Sequence, residues 1–155
     1  MIRRVENGLF QGSVNEAFDI LIEKQSGYLR GVFHRADIGD IDLSWGDAPT
    51  RYTGYGVSHI IQKHINIMGD FEDVEEAKAI IADVINTGTI CNNKDNNDRI
   101  YIEKGNYRVV IAKDSNGGKW LLSAFDFVKS KKRKEEERKE KRKTLPPSEP
   151  PVNQM

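Results

Sequence analysis

Three side chains suited to proton transfer and anion binding fall within six residues of the stretch SHIIQKH: His59, Lys63 and His64. A histidine titrates near neutral pH and serves as acid or base. A lysine holds an anion as a point charge. Farther along, Arg99, Lys104 and Arg108 flank a hairpin, and Ser123 sits inside the apolar run LLSAF. Arg108 is the preferred cation of the three, because Val109, Val110 and Ile111 mark its position as central in a strand. Trp45, Tyr52 and Tyr55 offer aromatic faces of the kind that stack on bases, although core packing is the expected role of Trp45. The third histidine, His34, reads as an exposed turn residue.

Helical geometry constrains the central pair. Val57, Ile60, Ile61, Ile65 and Met68 recur at helical spacing and predict a helix from Val57 to Met68. At about 100° per residue, His59 and Lys63 share a side, while His64 points about 140° away from His59, toward the apolar stripe. A regular helix therefore cannot aim both histidines at one atom. Either the first turn after Gly54 and Gly56 is irregular, or one histidine is structural, and the sequence leaves open which one is the main acid or base. The same i,i+5 spacing argues against zinc, which a helix binds through histidines at i,i+4 plus a third ligand.

The elements around that helix are legible. Ser13-Val-Asn-Glu16 is a capping box opening a helix to Gln25, and Asp73-Val-Glu-Glu76 opens another to Asn86, with Gly88 as its C′ residue. Tyr28–His34 and Ile41–Trp45 suit a hairpin, the second strand alternating Ile41, Leu43 and Trp45 against Asp40, Asp42 and Ser44. Residues 92–98 are too polar to bury and read as a loop. Arg99–Glu103, Tyr107–Lys113 and Lys119–Val128 follow as strands joined at Gly105-Asn106 and Ser115-Asn-Gly-Gly118. The last is apolar on both faces, which predicts a central position under a helix. The order helix, hairpin, two helices, meander gives an α+β fold.

Composition sets the limits. Cys91 is the single cysteine, so no internal disulfide forms. No apolar run approaches a membrane span or a signal peptide, so no membrane contact is expected. Residues 1–128 hold 14 Lys and Arg against 19 Asp and Glu, a net of −5; residues 129–155 hold 10 against 5, a net of +5. An acidic body is not that of a non-specific nucleic-acid binder, so any nucleic-acid contact must come from a local cation cluster. The two divisions expected are 1–128 as the domain and 129–155 as a charged, Pro-rich tail or linker, solvated because it has nothing to bury.

Two segments carry a resemblance. "GDIDLSWGD" followed by "GYGVSHIIQKH" resembles the signature of the phage Barnase–EndoU–colicin–RelE-like nuclease domains, PBECR for short, and "YRVVIAKDSNGGKWLLSAF" resembles their closing hairpin. These domains occur in phage polyvalent proteins and polymorphic toxins. The resemblance implies helices packed on one face of an antiparallel sheet in the BECR ribonuclease manner. It implies a metal-independent endoribonuclease without cofactor, a toxin or phage effector module acting on RNA, with tRNA among the candidates. In such cleavage a base takes the 2′-OH proton, an acid protonates the 5′ oxygen and cations stabilise the phosphorane. The implied catalytic set is His59, His64, Lys63, Arg108 and Ser123, with Arg99, Lys104 and Tyr55 binding substrate. Ser123 stands where the family more often has threonine. A monomer is expected, with an immunity protein as partner, acting in the cytoplasm of the producing or target cell or delivered within a larger protein. The acidic body favours an alternative, a non-catalytic RNA- or protein-binding module of a phage polyprotein.

Overall fold

The computed structural model describes residues 8–50, 53–91 and 98–144. Helix α1 spans Val14–Lys24 and opens with the full capping box: Glu16 N donates to Ser13 Oγ at 3.0 Å, and Ser13 N donates to Glu16 Oε1 at 2.8 Å. Gln25 ends it in the left-handed region at φ 53°. Strands β1 (Tyr28–Arg35) and β2 (Gly39–Ser44) form the expected hairpin. Gly56–His59, α2, continues without a break into a wider helical segment, Ile60–Ile67. Helix α3 (Val74–Thr87) is capped by Asp73, whose Oδ1 accepts from Glu76 N at 2.8 Å. The second half of that box is displaced by one residue, since Glu76 Oε1 accepts from Glu72 N. Strands β3 (Thr89–Cys91), β4 (Arg99–Lys104), β5 (Tyr107–Lys113) and β6 (Lys119–Asp126) follow, and helix α4 covers Phe127–Thr144.

The six strands make one sheet in the order β1-β2-β6-β5-β4-β3. Its neighbours are antiparallel except β2 and β6, which meet in parallel at Asp42 and Trp120. This is an α+β fold with a mixed sheet. The doubly apolar β6 is interior, as its sequence requires. Leu121 and Ala124 of β6 are buried in the core with Val109, Ile111 and Ile102, beneath Ile81 and Ile85 of α3. The core continues through Ile41 and Leu43 to Phe18 and Leu21 of α1. Burying a side chain of this size stabilises by about 1.5–3 kcal/mol, and this cluster is what holds the sheet rigid.

Two expectations at the helix ends change. Gly88 is extended, at φ −76° and ψ 172°, not left-handed. A glycine is needed there because a Cβ would stand 2.4 Å from Val84 O and 2.9 Å from Glu103 O. The last strand stops at Asp126 and not at Val128, because Phe127 begins α4. Phe127 N and Val128 N both donate to Asn106 O, and Lys129 N donates to Asp126 Oδ1 at 2.7 Å, which caps the first turn. The loop expected at 92–98 and the base-stacking role considered for Tyr52 lie outside the described residues, apart from Asp98.

Candidate active site

The histidine-bearing helix is positioned by a glycine interlock. Asp47 and Tyr55 form a two-way backbone bridge, at 3.0 and 2.8 Å, and Ser58 N donates to Trp45 O at 2.8 Å. The backbones approach so closely that a Cβ on Gly46 would lie 2.0 Å from Tyr55 O, at φ +75°. The spaced glycines of the WGD and GYG segments therefore fasten the start of α2 to the end of β2, four residues before His59.

Beyond His59 the helix widens. Met68 N donates to Lys63 O, a bond across five residues. Such i→i+5 bonding is π-helical and stacks residues five apart on one side. It removes the obstacle posed by a regular helix: the rings of His59 and His64 lie edge to face, 5.2 Å between centroids. The irregularity sits across the pair itself and not only in the first turn.

Both histidines are buried, at 6% and 5% exposure, as is Asp70 at 5%. His64 Nδ1 is 2.7 Å from Asp70 Oδ2. An ionised carboxylate only accepts, so Nδ1 carries the proton and, in the neutral ring, Nε2 is left as an acceptor. Nε2 lies 3.3 Å from Ser123 Oγ, and the His64 ring stacks on Phe125 at 5.6 Å. The carboxylate thus fixes both the tautomer and the aim of His64. His59 Nδ1, Ser58 Oγ and Asp70 Oδ1 are buried without a hydrogen-bond partner among the described residues. Unsatisfied buried polar atoms are rare and mark functional sites more often than structural ones. Burial, and then the nearby His64 and Lys63, push the His59 imidazole down to about 4, against a backbone hydrogen bond at Thr53. It is neutral at physiological pH in the unliganded protein.

A cavity of about 330 Å³ gathers these groups. Its walls include His59, Lys63, His64, Asp70, Ser123 and Phe125, with Arg133, Lys134 and Glu137 of α4 on the opposite side. Four of the five residues expected to be catalytic are therefore together. Arg108 is not among the lining residues. It is on the same sheet face, paired across from Phe125, but its guanidinium is ion-paired with Glu103 and packed between Tyr101 (4.6 Å) and Phe127 (3.8 Å). Lys104 is tied to α3 instead, bonding Asp83 at 2.9 Å and Thr87 at 2.7 Å. Arg99 is at the exposed start of β4, with Nη1 on Asp98 O. Tyr55, 40% exposed, lines a separate aromatic hollow with Tyr28 and Trp120. His34 is exposed and bonded to Asp40, and Trp45 packs against the core.

Sequence reasoning missed Asp70 and the α4 residues. Asp70 follows His64 by six residues across Gly69, a spacing with no motif behind it. Arg133 and Lys134 were hidden in a run of like residues. No group of three or more His, Cys, Asp or Glu among the described residues is placed to hold a metal ion. No helix among them is long and apolar enough to cross a membrane.

Residues 32–133 match the family model of the phage-Barnase-EndoU-ColicinE5/D-RelE like nuclease 1. The chain belongs to that nuclease family. No curated protein and no solved structure matches it. The match begins in β1, ends on Arg133 and contains every residue of the cavity wall except Lys134 and Glu137. The resemblance in the two sequence segments thus holds for the whole sheet and its histidine helix.

Proposed function

We propose that this nuclease is a metal-independent endoribonuclease of the toxin or phage-effector kind, cleaving RNA by attack of a 2′-OH on the adjacent phosphate. The observation that carries the proposal is the Asp70–His64 pair aimed into the same cavity as His59 and Lys63. His64 Nε2 takes the 2′-OH proton, and Asp70 stabilises the imidazolium that results. O2′ bonds to phosphorus, the P–O5′ bond breaks, and His59 delivers a proton to O5′, leaving a 2′,3′-cyclic phosphate. Lys63 offsets the charge of the phosphorane. The cationic neighbours that depress His59 in the empty site are opposed by a phosphodiester bound beside it, which favours the protonated ring. Each proton-transfer group is worth about 10²–10⁴-fold.

The test is cleavage of bulk RNA and tRNA by the purified full chain in EDTA, with His64→Ala alongside. Cutting by the natural chain and loss in the variant is the expected result. Equal cutting by both overturns the mechanism.

One observation favours a second reading. Ser123, His64 and Asp70 stand in the order of a nucleophile, its base and an orienting carboxylate. Ser123 Oγ could then attack phosphorus itself, displacing O5′ and forming a phosphoserine that water hydrolyses. That route needs no 2′-OH and cuts DNA. The 3.3 Å contact is long for an O–H···N bond, and the 2′-OH route leaves Ser123 as a positioning hydroxyl. Ser123→Ala separates the two: a modest loss fits the first, complete loss with DNA cutting by the natural chain fits the second.

A further inference from the structure

Helix α4 reads in the sequence as a solvated tail, yet it is fastened to the domain at the mouth of the cavity. Lys129 Nζ donates to Gly69 O at 2.9 Å, next to Asp70, and Phe127 N donates to Asn106 O at 2.7 Å. Ser130, Arg133, Lys134 and Glu137 recur at i, i+3, i+4 and i+7, which places them on one face, and all four line the cavity. Between residues 131 and 141, Arg133 is the only side chain that is not fully exposed. Its Nη2 is 3.6 Å from Asp70 Oδ1, the buried oxygen that has no hydrogen-bond partner among the described residues.

Asp70 therefore faces two groups, His64 through Oδ2 and Arg133 through Oδ1. The guanidinium has five donors in a planar fork, so contact with one carboxylate oxygen leaves donors available to a phosphate. The body of the chain is net acidic, and Lys63 is the cation it contributes to the cavity wall. An anionic substrate needs more than that.

We propose that α4 is the phosphate-binding wall of the active site, with Arg133 and Lys134 holding the phosphodiester of a single-stranded RNA against His59 and His64. This rests on the nuclease reading of those two histidines. Arg133, oriented by Asp70, is the directional contact, and Lys134 is a point charge at the rim. Glu137, on the same face, repels a phosphate bound farther out along the helix and so marks the outer limit of the site.

The experiment uses the full chain and a 2′-O-methyl RNA oligonucleotide, which binds but lacks the attacking hydroxyl. Affinity is measured across a salt series, and cleavage of the unmodified strand is measured in parallel. Each single-strand phosphate contact contributes about 0.7 to the slope of log K against log salt. Arg133→Ala with Lys134→Ala should lower the slope by about 1 and cut cleavage at least tenfold. Arg133→Lys should keep most of the slope while losing cleavage, because a point charge lacks the fork. Lys132→Ala with Lys139→Ala removes the same charge from positions outside the cavity wall and should leave the slope and the rate nearly unchanged. An equal effect from that control pair would overturn the proposal, since general helix charge would explain it. An unchanged slope in the Arg133, Lys134 variant would overturn it as well. Slope changes as expected in a chain that cuts no RNA would leave the phosphate site standing and remove the nuclease reading.

Discussion

Protonating His59 in the folded protein is costly, and this makes stability depend on pH in a specific way. The imidazole falls from the ordinary 6.5 to about 4 through burial and the neighbouring His64 and Lys63. In the unfolded chain it returns to near 6.5. Between those values the unfolded state binds a proton that the folded state refuses, so stability falls as pH falls from about 6.5 to about 4 and levels off below. Above about 6.5 both states are neutral and the group contributes no slope. At about 1.4 kcal/mol for each tenfold change in proton affinity, the full effect is at most about 3 kcal/mol. The perturbation is His59→Gln, which cannot titrate. Urea unfolding is measured from pH 7.5 to pH 4 for both chains. The natural chain should lose about 2–3 kcal/mol more than the variant over that interval, while at pH 7.5 the difference reflects packing alone. Parallel curves would show that His59 is not held neutral by its surroundings and would refute the account of its environment.

Other perturbations test other parts of the site. Asp70→Asn should reduce RNA cleavage by about 10–100-fold, the usual scale for a group that orients a functional histidine, and NMR should show His64 tautomers redistributed. An unchanged tautomer would place the orientation elsewhere. Gly46→Ala forces a Cβ against Tyr55 O and requires a left-handed alanine, so it should cost at least about 2 kcal/mol in urea unfolding and detach the start of α2. Removing residues 132–155 should shift the melting temperature little, because Phe127 and Lys129 still fasten the first turn, yet cleavage should fall with the loss of Arg133. A large drop in melting temperature would show that α4 packs on the domain beyond its first turn.

Much of this architecture was legible because apolar periodicity and capping chemistry are local signals. Ser13 and Asp73 announced their helices, and the doubly apolar β6 announced its interior place. His59, Lys63, His64 and Ser123 were found from residue type and spacing. What the sequence hid was long-range or cooperative. A π-helical turn has no propensity signature, so the i,i+5 histidines read as pointing apart when they are neighbours. Asp70 reads as one acidic residue among many, and only the turn at Gly69 swings it back onto His64. Lys104 and Arg108 read as available cations, but partners distant in sequence or stacked above them engage both, Asp83 and Thr87 in one case and Glu103 and Phe127 in the other. Hydrophobic patterning could not flag Arg133, because α4 offers no apolar stripe and its role depends on which face meets the cavity.

The dependence of cutting on the 2′-hydroxyl tests the central claim most directly. An RNA oligonucleotide with a mapped cut site is compared with the same strand carrying one 2′-deoxy residue on the 5′ side of the scissile phosphate, both in EDTA. The account predicts cutting of the first to a 2′,3′-cyclic phosphate end and at least about 10³-fold slower cutting of the second at that bond. Equal cutting of both strands would contradict it.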